Sequence, residues 1–534
     1  MPSEPDLNTT NEQRLLTAAV QGNMLDLAGS HSIDEASMQE WGDERTIAAS
    51  MVRDILLGRH GVIDPRGVRI RGACIVGRLD LDNARTDVGL RLESCYLPEG
   101  ITAESADLLG LQLHDCLLAN TVAPALNLPH ANLRSALNIH GCTIRAMPKF
   151  GGAVNMIAAK VGGNLNCNGS RIYNESGPGI GADNLRVSGS LFLRYGFEAY
   201  GDGTLGTVRL NRSRIDSFVD FSGANLHNKS GPAISADGMT ADSLLIRNGF
   251  AAESGSAFAT IRLLNARIST VEVRGATIKN GSGPAIVADG LDVEGDLLVG
   301  KDLTATGSGK IPTLNLDHAS VGTSFFFNPE RITNSSSPDK RISIDGLTYP
   351  RVPSGLDLQQ WLSLLRHDTG GYAPQPYQQL AAVHRAAGHE SEARIVLRAQ
   401  RKHQIDSHTL TGRSNRLWAR TTGLLLGYGY QPWRTLIGLL AVAIISSVLC
   451  LTSPALVHTK NSPNPGTPCR ASERIGVAID LTIPLIKTNI RSQCDLVGTV
   501  ASDWLAIVGW LLQALSWGFA TLFVVGFTSA VRKS

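Results

Sequence analysis

Two glycine-rich stretches are the first candidates for chemistry. Gly201-Asp202-Gly203-Thr204-Leu205-Gly206 has the G-x-G-x-x-G spacing of dinucleotide-binding loops. Such a loop works between a strand and a helix whose N-terminus meets the pyrophosphate. Here Val208-Arg209-Leu210 follows instead, another short step of alternating apolar residues, so the stretch reads as a glycine-rich corner. Gly307-Ser308-Gly309-Lys310 lacks the earlier glycine of a phosphate loop and the Ser or Thr after its lysine. There is no His-Glu-x-x-His motif and no Cys-x-x-Cys pair. Cys74, Cys95 and Cys116 recur every 21 residues, and Cys142 and Cys167 stand 25 apart. Cys95, Cys116 and Cys142 take a repeated small position and read as interior filler. His114, His130, His140 and His318 occur singly and read as surface residues. No catalytic, cofactor-binding or metal-ligating set is expected. Cys469 and Cys494 are the one candidate disulfide, and two free thiols remain the open alternative.

The elements that carry these residues follow from a repeat. A small residue followed two positions later by a branched apolar one recurs about every five residues. Ala73/Ile75, Cys95/Leu97, Cys116/Leu118, Ala131/Leu133, Cys142/Ile144, Ser170/Ile172, Ala224/Leu226 and Ala276/Ile278 are examples. Apolar pairs such as Leu90/Leu92 and Leu111/Leu113 stand between them. A step of five fits neither a helix face nor a flat strand. It fits a chain that turns a corner at each step, four faces to a coil, with coils stacked about 4.8 Å apart through backbone hydrogen bonds. In so narrow a tube two side chains per face point inward, a large one at the centre and a small one near the corner.

Three steps carry the fuller form Ala-(Asp/Asn)-Leu: Ala106-Asp107-Leu108, Ala131-Asn132-Leu133 and Ala224-Asn225-Leu226. On these residues the stretch of about 70–330 resembles the pentapeptide-repeat proteins, and the resemblance implies a right-handed quadrilateral β-helix. Some steps run to six residues, as from Ile75 to Leu81, and the Asp/Asn position is often lost. A longer period lies above the short one. Ser176-Gly177-Pro178, Ser230-Gly231-Pro232 and Ser282-Gly283-Pro284 recur at spacings of 54 and 52. Arg194-Tyr195-Gly196-Phe197 and Arg247-Asn248-Gly249-Phe250 recur with them. Each superrepeat is expected to hold two coils plus a glycine-rich excursion, at about 198–206, 251–257 and 304–311, lining one side of the rod.

The expected fold is mainly β: a right-handed, pentapeptide-repeat-like β-helix with an N-terminal helical cap, a helical neck and two transmembrane helices. The cap covers 1–62, with helices over 11–28 and 34–58 and Ile47, Met51, Ile55 and Leu56 on one face. The solenoid covers 63–330. A linker, 331–354, holds Asn334-Ser335-Ser336-Ser337-Pro338. A helical neck with a basic juxtamembrane segment covers 355–432. In it Tyr377, Leu380, Ala381, Ala387, Gly388, Ala393 and Leu397 resemble a single tetratricopeptide-like hairpin, read as closing the last coil.

The membrane domain covers 433–534, with uncharged spans at about 435–457 and 504–531. Trp433 and Trp504 are the interfacial anchors. Arg413, Arg416, Arg420 and Arg434 precede the first span, and Arg532 and Lys533 follow the second. They place both chain ends in the cytoplasm and the 458–503 loop outside, although Lys460, Arg470, Arg474, Lys487 and Arg491 weaken that contrast. The acidic, polar Met1–Thr10 lacks the layout of a signal peptide. Within the loop, Ile475–Ile486 holds Asp480 and Pro484 and reads as re-entrant or interfacial, without a carbonyl filter of the Thr-Val-Gly-Tyr-Gly type. Gly427-Tyr428-Gly429-Tyr430, ahead of the first span, reads as a headgroup anchor. This two-span region resembles that of bacterial membrane proteins carrying the same solenoid, sometimes labelled membrane-associated oxidoreductases.

A net charge of +2, with a nearly neutral solenoid, argues against phosphate-backbone binding and against an acidic DNA mimic. The function expected is a non-enzymatic scaffold, a multi-pass protein of the inner membrane presenting its solenoid at the cytoplasmic face. Its partners would be membrane lipid and a protein on the solenoid; homo-oligomerisation stays open, and neither nucleic acid nor a cofactor is expected. A channel or transport component and a membrane-associated oxidoreductase are the alternatives.

Overall fold

The computed structural model describes residues 10–29, 33–407, 433–453, 456–459, 465–482, 489–496 and 500–533. The chain divides into two units, Met1–His389 and Glu390–Ser534.

The first unit is a parallel β-solenoid of about 11 turns. Each coil contributes strands to four columns. The first face stacks Asp107–Leu108, Asn132–Leu133, Lys160–Val161 and Arg186–Val187. The second stacks Val68–Arg71, Leu90–Glu93, Leu111–His114 and Leu137–His140. The third runs from Cys74–Val76 to Arg331–Asn334, and the fourth from Leu79–Asp80 to Ile342–Ser343. In three coils the first and second faces fuse into one strand: Arg214–Asp220, Thr240–Ile246 and Arg267–Val273. Register gives the coil length. Leu90 pairs with Leu111 and Leu111 with Leu137, so one coil takes 21 residues and the next 26. Twenty-one is four five-residue steps plus one, which is why the short period is clearest near the N-terminus. The inward residues are sealed: Leu92, Leu113, Ile139, Leu165 and Leu193 are all fully buried. Many corners need the left-handed backbone, which His130 and His318 supply at φ 58° and 55°.

Several expected boundaries change. In the cap, α1 (Asn11–Gln21) gives way to a strand, Leu25–Asp26, that pairs with Ile70–Arg71. The second expected helix breaks into α2 (Glu35–Gln39), the strand Thr46–Ala48 paired with Cys74–Val76, and α3 (Ala49–Leu56). The cap therefore continues the ladder, so Ile47 is buried as a strand residue while Ile55 and Leu56 are buried from α3. The glycine-rich excursions begin as strands of the third face, Glu198–Gly201, Phe250–Ser254 and Leu303–Gly307, before turning the corner to the fourth. The expected linker is the last coil: Arg331–Asn334 pairs with Thr304–Gly307, and Ile342–Ser343 with Leu314–Asn315. The coil ends on α4 (Leu358–His367), whose Trp361 ring lies 5.9 Å from Phe325 and 5.5 Å from Phe327. Next comes α5 (Pro374–Ala386), tied on by Gln375 and Gln379, which donate to the Leu347 and Tyr349 carbonyls.

The second unit holds α6 (Glu390–Asp406), α7 (Trp433–Thr452), α8 (Ala471–Thr482) and α9 (Val500–Lys533). Trp433–Thr452 and the Ile507–Val525 part of α9 are long and apolar enough to cross a membrane. Outward apolar residues along both, such as Ile444, Val448, Leu511 and Leu515, agree with a lipid-facing surface. The first helix ends five residues earlier than expected. Pro454 cannot continue it, and Leu456–His458 forms an antiparallel strand pair with Cys494–Leu496. The helix α8 packs against both α7 and α9. Arg413, Arg416, Arg420, Gly427–Tyr430, Lys460, Pro484 and Lys487 lie outside the described residues, as do Met1 to Thr9.

Candidate functional site

The corner between the third and fourth faces is built in two alternating ways. The last inward position of the third face is, coil by coil, Asn120, Ala146, Asn174, Gly201, Asn228, Ser254, Asn280, Gly307 and Asn334. Each asparagine is followed four residues later by proline: Pro124, Pro178, Pro232, Pro284 and Pro338. The side chain closes the loop between. Asn228 accepts from the Ser230 and Gly231 amides and donates to the Pro232 carbonyl; Asn280 repeats all three bonds. The glycine of each Ser-Gly-Pro is forced, because a Cβ on Gly231 would lie 2.0 Å from the Gly203 carbonyl oxygen of the preceding coil. Three of the four intervening coils, those of Gly201, Ser254 and Gly307, use a threonine instead. Thr207, Thr260 and Thr313 donate to the carbonyls of His227, Lys279 and Thr333 in the next coil. A Cβ on Gly201 would meet the Thr207 hydroxyl at 2.6 Å, so that position stays small. This alternation is the physical cause of the period of about 54.

Outside the same face, register stacks Arg145, Tyr173, Tyr200, His227, Glu253 and Lys279 into one outward column. Tyr173 and Tyr200 stack at 5.0 Å and Tyr200 on His227 at 4.9 Å, their planes within 10° and 6° of parallel. The Arg145 guanidinium caps the stack 5.2 Å from the Tyr173 ring. With the corner residues Glu175, Asp202 and Lys229, the stack and Glu253 line a groove of about 680 Å³. Burial, with Glu198 and Tyr173 nearby, pushes the Tyr200 phenol up, so it stays a neutral donor. Ser254 in the groove wall is buried against the Thr260 hydroxyl at 2.9 Å, and Asn174 and Asn228 are saturated by the corners. The groove therefore offers aromatic edges and carboxylates to a ligand rather than an activated nucleophile.

At the N-terminal end of the column lies a clasp. Glu35 of α2 accepts from the Thr143 hydroxyl, pairs with Arg145 at 3.2 Å and pairs with Arg171. Partial burial raises its carboxyl, but the Thr143 bond and the two arginines outweigh this and hold it below the usual range. A depressed folded-state pKa contributes stability above the unfolded value and loses it as pH falls through the folded one. Hydrogen exchange over 33–40 is thus expected to rise on acidification through the carboxylate range. A Glu35→Gln variant should exchange fast already at neutral pH and keep only the smaller acid step of the Asp34 cap, whose carboxyl the Ser37 amide holds low. An unchanged acid step in that variant would assign it to another group.

The expected site residues fall as follows. Cys469 and Cys494 are brought together and joined as a disulfide, Cα atoms 6.2 Å apart. Trp433 opens α7 and is half exposed, with Arg434 exposed beside it. Trp504, Arg532 and Lys533 fall within α9, their side chains outside the described residues. Cys95, Cys116 and Cys142 are buried in one inward column, their thiols facing backbone carbonyls. Burial pushes the Cys167 thiol up to about 12, and an unionised thiol is inert. Gly201–Gly206 is a corner leading into the strand Val208–Arg209, as its neighbours suggest. The column Tyr173, Tyr200, His227 escapes sequence reading, although its spacing of 27 is one coil.

The fold defines the class: a parallel β-solenoid followed by two helices of membrane-spanning length and composition. Set against protein-family models, curated proteins and solved structures, the chain finds no match.

Proposed function

We propose that this chain is a membrane-anchored, non-enzymatic scaffold, its right-handed, pentapeptide-repeat-like rod displaying the groove at Tyr173, Tyr200 and His227 to a protein partner. The groove carries the reading. Aromatic residues concentrate binding energy at protein interfaces, and Glu175, Asp202 and Glu253 outnumber Lys229 there, so the docking segment would be basic. The two apolar helices and the arginines around them support a multi-pass inner-membrane protein with both ends cytoplasmic. Photo-crosslinking from position 200 in intact cells tests this. One protein should be captured, and both Tyr200→Ala and Glu253→Lys should weaken its binding roughly tenfold or more. Crosslinks that appear only from the opposite face, or a redox chromophore in the pure protein, would overturn the reading.

One observation favours a second reading. The helix α8 touches both spans, as a pore-lining half-helix would. Ion conductance of the reconstituted protein that falls on substituting Asp480 would replace the scaffold by a channel.

A further inference from the structure

The segment between α7 and α9 gathers a cluster of side chains able to ligate a metal. His458 ends the strand Leu456–His458 and pairs in register with Cys494. Cys469 is held beside them by its amide, which donates to the Leu456 carbonyl. Glu473 sits in the first turn of α8, where it accepts from the Arg470 amide at 2.7 Å. The Nε2 of His458 lies 3.4 Å from a Glu473 oxygen. Donor atoms of His458, Cys469 and Glu473 all fall within 4.8 Å of one another. Cys494 Sγ is bonded to Cys469, which places it beside that cluster. Both cysteines are buried, packed with Leu456, Val477 and Ala478.

One imidazole, one carboxylate and one sulfur thus converge, with the Cys494 sulfur one bond away. Ligands about 2.0–2.3 Å from a tetrahedral zinc ion stand about 3.3–3.8 Å from one another. The His458–Glu473 separation already matches that edge. The two sulfurs do not while they are bonded, since a disulfide holds them about 2 Å apart. Reduction breaks the Sγ–Sγ bond and frees the two sulfurs to separate.

We propose that His458, Cys469, Glu473 and Cys494 form a two-state site: a disulfide when oxidised, and a Cys₂-His-Glu site for zinc or a similar divalent cation when reduced. In the switch a dithiol reductant supplies two electrons and two protons. The Sγ–Sγ bond breaks, two thiols form, and the reductant leaves as its own disulfide. The cation then displaces both thiol protons and is bound by the two thiolates, the neutral imidazole and the carboxylate. The site is independent of the scaffold reading and survives its failure.

The test uses the full chain in detergent, oxidised or reduced and desalted without oxygen, titrated with cobalt(II) and then zinc(II). Reduced protein should give a tetrahedral, thiolate-ligated cobalt spectrum at one equivalent, bleached by zinc; oxidised protein should not. His458→Ala and Glu473→Gln should each weaken cobalt binding about tenfold or more. Peptide mapping should show that both re-form the Cys469–Cys494 bond on oxidation, which establishes that the loop folds. The proposal falls if the reduced protein gives no such spectrum. It falls equally if a Cys469→Ser, Cys494→Ser double variant keeps the spectrum, or if both single variants bind as tightly as the parent.

Discussion

Replacing Asn228 by alanine is expected to open the corner between the third and fourth faces and to cost about 1–3 kcal/mol. Asn228 is 3% exposed. Its oxygen accepts from the Ser230 and Gly231 amides at 3.0 and 2.6 Å, and its amide donates to the Pro232 carbonyl at 3.0 Å. Alanine strands the amide of the buried Gly231, leaves the Ser230 amide to solvent, and takes one of two donors from the Pro232 carbonyl, which keeps the Thr207 amide at 2.9 Å. Each unmet buried group costs about 1–3 kcal/mol. Asn228→Asp keeps both acceptor bonds but loses the donor and buries a charge, so it should be no milder. Ser230→Ala is the control. That hydroxyl is exposed; it donates to Asp202 and accepts from the Gly203 amide, which also bonds Asp202, so its loss should stay within about 0.5 kcal/mol. Hydrogen exchange decides the matter because a solenoid opens coil by coil rather than all at once. The Ser230 and Gly231 amides should lose protection in N228A and keep it in S230A. Protected amides in N228A would mean that the corner is held by Pro232 and the neighbouring coils instead.

How much of this was legible depends on the distance over which each contact acts. The five-residue step is local, since each face must place its own inward pair, and it predicts the coil without any knowledge of neighbours. The Ser-Gly-Pro recurrence is equally visible. Its cause is not, because the asparagine two residues ahead works by closing onto Pro178, Pro232 or Pro284 in three dimensions. For the same reason Asn334-Ser335-Ser336-Ser337-Pro338 reads as a linker: it has the composition of one, and only its register with Gly307 shows it to be another closed corner. The strands Leu25–Asp26 and Thr46–Ala48 are too short to leave a period and are called up by the exposed edge of the first coil. The groove is an intermediate case. Tyr173, Tyr200 and His227 become a column once the coil length is known, and nothing local marks them before that. Glu35 meets Arg171 across 136 residues, a pairing that no spacing rule can reach. The loop cysteines left two alternatives open because antiparallel pairing of His458 with Cys494 depends on a hairpin closed by the helices on either side.

The small-then-large rule for inward pairs also holds in only half of the later coils, and this carries the second large effect. Ser170/Ile172, Ala224/Leu226 and Ala276/Ile278 obey it, while the coils between reverse it as Phe197/Ala199, Phe250/Ala252 and Leu303/Ala305. All these residues are buried, so volume is conserved across the face while its position moves from centre to corner. Phe250 is 1% exposed, its ring edge-to-face with Phe221 at 6.1 Å. Phe250→Ala should therefore cost about 3–5 kcal/mol, the range for emptying a core aromatic. Adding Ala252→Ile rebuilds the pattern that Cys95/Leu97, Cys116/Leu118 and Cys142/Ile144 stack in successive coils. The double variant should regain about 1 kcal/mol or more of the loss, as volume-conserving exchanges are tolerated best. Exchange rates of the amides flanking the pair, 249–253 and 275–279, measure both effects. A single variant as well protected as the parent would show that the Phe250 slot collapses at little cost. A double variant no better than the single would show that each corner demands its own side chain, and that the alternation reflects corner shape rather than filled volume.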